Sequence, residues 1–145
     1  MSYFEIGIYH PRNQLNIGTL WRSAYQLGAA GIFSIGRPYR NQSSDTARTM
    51  ENIPLRSYLN FDEFMKNRAV GAVLVGIEIG GTPLASFTHP KQAIYLLGSE
   101  DNGFSKQVLG ACNEVISIES IRSASYNVAV SGSIVMYHRY LQFLK

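Results

Sequence analysis

The stretch SASYNVAVSGS, residues 123–133, precedes the apolar end of the chain and has an unusual composition for the start of a helix. Ser, Asn, Val and Gly form helices less readily than Leu or Ala. Ser125 and Asn127 can cap a helix or bond to a ligand. The small residues Ala129, Gly132 and Ser133 allow another backbone to approach closely. Capping requires only one such residue, so the composition indicates a packed site at this helix end.

Outward from this stretch, short apolar runs alternate with segments of helical period. This alternation predicts an α/β fold with a mainly parallel sheet flanked by helices. Six runs are candidate strands, namely YFEIGIY, GIFSIG, LRSYL, AVGAVLVGIE, AIYLLG and EVISIE.

Three helices are predicted between these strands. The first runs from Asn16 to Gly28, and its apolar stripe consists of Ile17, Leu20, Ala24 and Leu27. Asn60 lies three residues before Glu63, a spacing typical of a capping box, and predicts a second, short helix. Ser105 opens a third helix.

The terminal helix is apolar on more than one side. One stripe consists of Val130, Ile134, Tyr137, Leu141 and Leu144, and much of the remainder is covered by Val128, Val135, Met136, Tyr140 and Phe143. Such a helix must bury one face against its own sheet and another elsewhere. We therefore predict a homodimer; the alternative is a central helix that its own chain covers.

Length and composition favour one domain, residues 1–145, with a substantial core, because 46% of the 145 residues are hydrophobic. The formal charge of +3 permits an anionic partner. Cys112 is the single cysteine, so no internal disulfide can form, and no signal-peptide pattern or membrane-spanning run is seen. We expect a cytoplasmic protein. Cys112 should be a core residue, and His10, His89 and His138 should be structural or surface residues.

Several common site motifs are missing from the sequence. Neither G-x-G-x-x-G nor G-x-x-x-x-G-K-[ST] occurs, which argues against a Rossmann dinucleotide site and a P-loop. The absence of G-x-S-x-G and H-E-x-x-H removes two familiar hydrolase classes. No metal site is predicted.

Two further polar constellations follow predicted strands. In NIGTLWR, Gly18 leaves room beside Arg22 on the helix face opposite the apolar stripe, and Asn16 comes a turn and a half earlier. Arg22 is thus a candidate for a phosphate or ribose contact, against the alternative of an ordinary surface arginine. In LLGSEDNGFS, Glu100 lies in a Gly-bounded loop where open α/β sheets bind ligands; the alternative is a polar turn.

A stretch rich in Gly, Pro, Asn and Ser, GRPYRNQSSDTAR, carries three arginines, Arg37, Arg40 and Arg48. It has the composition of a surface loop. A solvated loop and a phosphate-contacting loop explain these arginines equally well.

Taken in order, NIGTLWRSA, LLGSEDNGFS and IESIRSASYNVAVSGSIVMY resemble the three motifs of the TrmH (SpoU) family in the SPOUT superfamily of RNA methyltransferases. The resemblance covers nearly the whole chain. It implies an α/β domain with a deep trefoil knot in the C-terminal half, S-adenosylmethionine bound among the knot loops, and a dimer. General rules of chain topology alone would exclude a knot.

The resemblance also assigns site residues. The motif-one arginine and asparagine match Arg22 and Asn16, the motif-two glutamate matches Glu100, and the motif-three serine and asparagine match Ser125 and Asn127. Backbone contacts to the cofactor are implied at Val75, Gly76, Ile77, Leu97, Gly98, Ile118, Ser125 and Asn127. Two departures are Ile-Glu-Ser at residues 118–120, where relatives commonly carry Ile-Pro-Met, and Tyr126, where Leu is usual.

The family reaction implied is methyl transfer from S-adenosylmethionine to a ribose 2′-hydroxyl. Arg22 would hold an RNA phosphate and the 2′-oxygen, and Arg37, Arg40 and Arg48 would contact RNA. A minimal chain suits tRNA better than a large ribosomal target. The alternatives are a noncatalytic RNA-binding module of the same fold and a SPOUT enzyme that methylates a base.

Overall fold

The six apolar runs form six strands in the computed structural model, which describes residues 2–38, 53–98, 103–122 and 125–144. The strands are β1 (Tyr3–Tyr9), β2 (Gly31–Ile35), β3 (Leu55–Tyr58), β4 (Val73–Pro83), β5 (Gln92–Leu97) and β6 (Glu114–Ser117). They form one sheet in the order β3-β2-β1-β5-β4-β6. Every neighbouring pair is parallel, which confirms the predicted sheet.

β4 differs from the predicted run of residues 69–78. It starts at Val73 and continues to Pro83. After Ile77, which pairs with Ile116, the register shifts, and Thr82 pairs with Ile116 as well. Gly80, with φ of 93°, lies in the interrupted part. A bulge of this kind lengthens a strand in a way that periodicity cannot predict.

The predicted helices are present with adjusted limits. They are α1 (Gln14–Gln26), α2 (Phe61–Asn67), α3 (Lys106–Ala111) and α4 (Val128–Phe143), with a 3₁₀ turn at Leu84–Ser86. α1 begins before the predicted Asn16 because Asn13 is its N-cap and accepts a hydrogen bond from Leu15 N at 2.9 Å. Asn60 and Ser105 cap α2 and α3 as predicted. In the described ranges, no helix is both long and apolar enough to cross a bilayer.

The sheet is buried on both faces, as parallel sheets require. One core cluster lies between the sheet and the helices α1 and α4, and the other contains residues of α2 and α3. Along β5, Tyr95 belongs to the first cluster, while Ile94 and Leu96 belong to the second. Cys112 is half-buried against the second cluster, and burial raises the pKa of its thiol to about 11. It is therefore a packing residue, as predicted.

α4 has one buried and one exposed apolar side. Val128, Val135 and Met136 are buried, as is the unexpected Arg139. The stripe that contains Val130, Tyr137 and Leu141 is exposed and borders a groove of about 450 Å³. Tyr140 and Phe143 are exposed as well, so the apolar surface is wider than one stripe.

A polar network lies beneath α4. The guanidinium of Arg139, which is 3% exposed, donates to the Tyr95 hydroxyl at 3.0 Å and to the Pro90 and Lys91 carbonyls at 2.6 and 3.0 Å. The Tyr95 hydroxyl lies 2.6 Å from Nδ1 of His89, and Nε2 of His89 lies 2.8 Å from Nδ1 of His138. The prediction of structural roles is confirmed for His89, whereas its pairing with His138 was not foreseen.

Candidate active site

The carboxyl ends of β5 and β6 and the interrupted part of β4 bring together predicted cofactor positions. Ile77 of β4 pairs with Leu97 of β5 and with Ile116 of β6. Gly98 and Ile118 follow the last two strands, and both are half-buried. This edge is where open parallel sheets bind ligands.

Val75 and Gly76 precede Ile77 in β4 and lie further from the edge where ligands bind. The Val75 side chain is fully buried. A Cβ at Gly76 would lie 2.9 Å from Sγ of Cys112 and 3.1 Å from the Phe104 ring, so close packing explains this glycine. Any ligand contact from these two residues must be made by the backbone.

Asn127 caps α4 and also connects two motifs. Its Oδ1 accepts hydrogen bonds from Ala129 N at 2.9 Å and Val130 N at 3.2 Å. Its Nδ2 donates to Oδ1 of Asn16 at 3.0 Å, across 111 residues of sequence. Asn16 is 8% exposed and lies in the first turn of α1, not at its cap. The structure therefore joins the first and third motifs through their asparagines.

The small residues of α4 explain the unusual composition of the stretch SASYNVAVSGS. A Cβ at Gly132 would lie 2.5 Å from Cδ1 of Leu20 in α1, so only glycine permits this helix contact. Oγ of the next residue, Ser133, is 2.9 Å from Oγ of Ser23 and 2.8 Å from the Ala129 carbonyl. These residues serve close helix packing, while Asn127 serves the cap.

Arg22 is exposed on the face of α1 opposite the buried residues Ile17, Leu20 and Ala24. This orientation agrees with the prediction. Ser125 is exposed in the segment before α4. Glu100 lies outside the described residues.

The segment between β6 and α4 is held by Glu119 and Tyr126, two positions where the sequence departs from the motif that it resembles. The Glu119 carboxylate accepts a hydrogen bond from Ala85 N at 3.0 Å, and the Tyr126 hydroxyl donates to the Glu119 carbonyl at 2.7 Å. Backbone N–H groups, first its own and then that of Ala85, hold the pKa of Glu119 below its ordinary value. A cavity of about 510 Å³ is lined here by Glu119, Ser120, Ile121, Arg122 and Tyr126. The Tyr126 side chain therefore connects the two ends of the segment between β6 and α4.

Glu78 is a residue that sequence reasoning missed. Its Oε2 accepts a hydrogen bond from Phe104 N at 2.9 Å. A Cβ at Gly103, whose φ is 61°, would lie 2.6 Å from the same oxygen. Glu78 thus holds the last residues of the LLGSEDNGFS motif against β4 at the point where its register shifts. The only sequence signal was a carboxylate at a predicted strand end.

Comparison with known proteins identifies the family. The model of the SpoU rRNA methylase family matches residues 3–137. An uncharacterized tRNA/rRNA methyltransferase of Archaeoglobus fulgidus is 27% identical over 131 residues, covering 86% of this chain and 58% of that protein. This chain thus spans little more than half the length of that curated relative.

Solved structures share the fold. The SpoU methyltransferase AviRb from Streptomyces viridochromogenes, in complex with AdoMet, superposes with a TM-score of 0.85 at 24% identity, covering 99% of this chain and 61% of its own. A structure described as giving insight into 2-OH methylation of C/U34 on tRNA superposes with a TM-score of 0.83 at 23% identity, covering 99% of this chain and 97% of its own. The family model matches nearly the whole chain and these folds agree with it, so the chain belongs to the SpoU rRNA methylase family.

Proposed function

We propose that this chain is an S-adenosylmethionine-dependent methyltransferase that modifies a ribose 2′-hydroxyl of tRNA. The observation that carries the proposal is the Asn16–Asn127 hydrogen bond, which joins the first and third motifs next to the sheet edge where ligands bind. Family membership supports the reaction class. The structural relative associated with C/U34 of tRNA is matched over 97% of its length, which supports tRNA over rRNA.

The described residues fit S-adenosylmethionine. Gly98 and Ile118 directly follow β5 and β6, and Ile77 lies where the pairing of β4 with β6 is interrupted. All three residues are half-buried, and their backbone groups would contact the cofactor. Backbone at Val75, Gly76 and Leu97 would add contacts from within β4 and β5, and Ser125 and Asn127 would contribute from the segment that leads into α4. When bound, the cofactor supplies a methyl group activated by a sulfonium.

Arg22 orients the RNA. A guanidinium has a pKa above about 12 and is a poor base, but it binds phosphate through two parallel hydrogen bonds. Arg22 would hold a phosphate so that the 2′-oxygen points along the sulfur–methyl bond. The new oxygen–methyl bond forms as the sulfur–methyl bond breaks, and the hydroxyl proton passes to that phosphate or to water. Asn16 and Glu100 would support Arg22 and the neighbouring loop.

We further propose the trefoil knot that the family resemblance implies, within one methyltransferase domain over residues 1–145. The strand order supports it, because β5 lies between β1 and β4 and β6 lies beyond β4. The chain must therefore return to the middle of the sheet and leave it again around the proposed cofactor loops.

A homodimer is proposed through the exposed side of α4. Val130, Tyr137 and Leu141 are each about half exposed and border the apolar groove. Exposed apolar surface of this kind marks an interface, and a second copy presents the same surface in a twofold arrangement. Tyr137→Glu should convert the dimer to a monomer in sedimentation velocity, whereas Leu59→Glu, at a separate exposed residue, should not. Equal sedimentation of both variants and the wild type would contradict this interface.

The proposed substrate assigns the protein to the cytoplasm and requires a basic surface. Arg37 is exposed two residues after the end of β2. Arg40 and Arg48 lie outside the described residues, and their RNA contacts are proposed from the sequence alone.

Methyl transfer is tested by incubating the protein with radiolabelled S-adenosylmethionine and, separately, tRNA and rRNA. The RNA is then digested and the labelled nucleoside identified. A 2′-O-methylribonucleoside from tRNA is expected. Label on a base would favour the base-methylating alternative, and absence of cofactor binding in calorimetry would favour a noncatalytic RNA-binding module.

Arg22→Ala tests the proposed role of the arginine. It should abolish transfer and leave cofactor binding nearly intact, whereas Arg56→Ala, which removes an exposed arginine of β3, should leave transfer unchanged. Loss of cofactor binding together with transfer in Arg22→Ala would show that Arg22 is structural.

A further inference from the structure

His10 has a left-handed backbone conformation that residues other than glycine adopt uncommonly. Its φ is 53°, and among the residues that the structure describes it alone has a positive φ without being glycine. A side chain with a Cβ is disfavoured there by steric contact with the backbone. Pro11 follows, and a residue before proline prefers a φ near about −120°. Strain of this kind persists where the surroundings impose it, and it is concentrated at functional sites.

The ring of His10 is held on two sides. A Cβ at Gly36 would lie 2.8 Å from Cε1 and 2.9 Å from Nδ1 of the imidazole, so the ring occupies space that only glycine leaves open. The Tyr9 ring contacts it edge-on, with 4.3 Å between centroids. His10 N donates to the Ile35 carbonyl at 2.7 Å. Both backbone and ring are therefore fixed at the ends of β1 and β2.

Folding does not explain the choice of histidine. The side chain is exposed, and glycine or asparagine would take up this backbone conformation with less strain. What the position gains is a rigid, exposed aromatic ring. This ring lies at the same sheet edge as the proposed cofactor site.

The surroundings of His10 are suited to RNA. Tyr9 also contacts Phe104, which belongs to the second motif. Arg37 is exposed after Gly36, and the Ser34 hydroxyl donates to its carbonyl at 2.8 Å, which holds the turn. Unpaired bases stack on aromatic side chains, and arginine binds the adjacent phosphates.

We infer that His10, held over Gly36 and against Tyr9, is the stacking site for an unpaired base of the substrate RNA, whose phosphate binds Arg37. The inference rests on the proposed function for the identity of the ligand. It adds a contact site that the family motifs do not contain.

Two substitutions separate the strain from the contact. His10→Gly removes the ring and relieves the backbone, and His10→Asn keeps a polar side chain that tolerates the left-handed region. Both should weaken tRNA binding about 5- to 100-fold in fluorescence anisotropy, as expected for a lost stacking contact. The unfolding midpoint of each variant, measured in parallel, checks that the fold is intact. The control is Lys91→Ala, at the opposite edge of the sheet, which should bind tRNA like the wild type.

The outcomes distinguish this inference from the proposed function. If both His10 variants bind tRNA as tightly as the wild type, the inference is wrong, even if the wild type transfers methyl groups. If the wild type transfers no methyl group but binds tRNA in a manner that depends on His10, the inference stands and the proposed reaction fails. If the wild type does not bind tRNA, both are overturned.

Discussion

Lowering the pH from 7 to 5 should remove about 2 kcal/mol of the free energy of unfolding through His89 alone. His89 is 4% exposed, and its pKa is lowered to about 3 by burial first, then by His138 and Arg139. The Tyr95 hydroxyl accepts a hydrogen bond from Arg139, which has donors only, so its own proton is available to Nδ1 of His89. Nε2–H of His89 then donates to His138. A proton added at Nδ1 would meet the Tyr95 hydroxyl and the nearby guanidinium.

The sign follows from proton binding in the two states. An unfolded histidine titrates near a pKa of about 6.5, whereas folded His89 titrates near about 3. The unfolded chain therefore binds more protons between these values, so stability is complete above pH 6.5 and falls as the pH drops. From pH 7 to 5 proton binding to the unfolded state raises the unfolding equilibrium constant by a factor of about 25, which corresponds to about 2 kcal/mol. For a chain of this length the unfolding midpoint should fall by roughly 5–8 °C.

The assay is urea unfolding at a fixed protein concentration at pH 7, 6 and 5, for the wild type and two variants. His89→Asn removes the titrating group and should lose about 2 kcal/mol less than the wild type across this range. Phe87→Leu is the matched control, since its ring packs edge-on against His89 at 5.0 Å and does not titrate. Phe87→Leu should be less stable than the wild type at every pH, and its free energy of unfolding should change with pH as much as that of the wild type. If the wild type and His89→Asn lose the same free energy of unfolding between pH 7 and 5, His89 is not the group responsible.

Three further outcomes are expected from single substitutions. Gly132→Ala should lower stability by about 1–3 kcal/mol in urea unfolding, because its Cβ would lie 2.5 Å from Leu20; unchanged stability would mean that α1 and α4 can separate. Asn60→Ala should cost about 1 kcal/mol through loss of the α2 cap, and Asn60→Asp should restore most of it; equal losses would exclude capping. Tyr126→Phe should weaken S-adenosylmethionine binding in calorimetry without unfolding the protein, because it frees the Glu119 carbonyl; unchanged affinity would separate this segment from the cofactor site.

Local features of the fold were predicted well because their causes are local. Apolar runs marked all six strands, although β4 extends beyond its predicted end. Asn60 and Ser105 were found as caps because a side chain bonds to backbone only a few residues away. The orientation of Arg22 followed from helical periodicity alone.

Contacts between distant segments were not accessible in the same way. The bond from Asn127 to Asn16 spans 111 residues, and that from His89 to His138 spans 49. Local spacing and composition carry no information about which residues so far apart in sequence come into contact. Glu78 was missed for the same reason, since its partner Phe104 belongs to another strand's loop.

The sequence by itself determined the secondary structure, the parallel α/β class and, through three ordered motifs, the family. Alternation of apolar runs, capping residues and motif order are properties of neighbouring residues, so they can be read along the chain. Only the tertiary structure decided that β5 lies between β1 and β4, that two motif asparagines meet, and that Gly36 makes room for a strained His10. Those features depend on which distant segments share space, and that is set by the packing of the whole sheet and its helices.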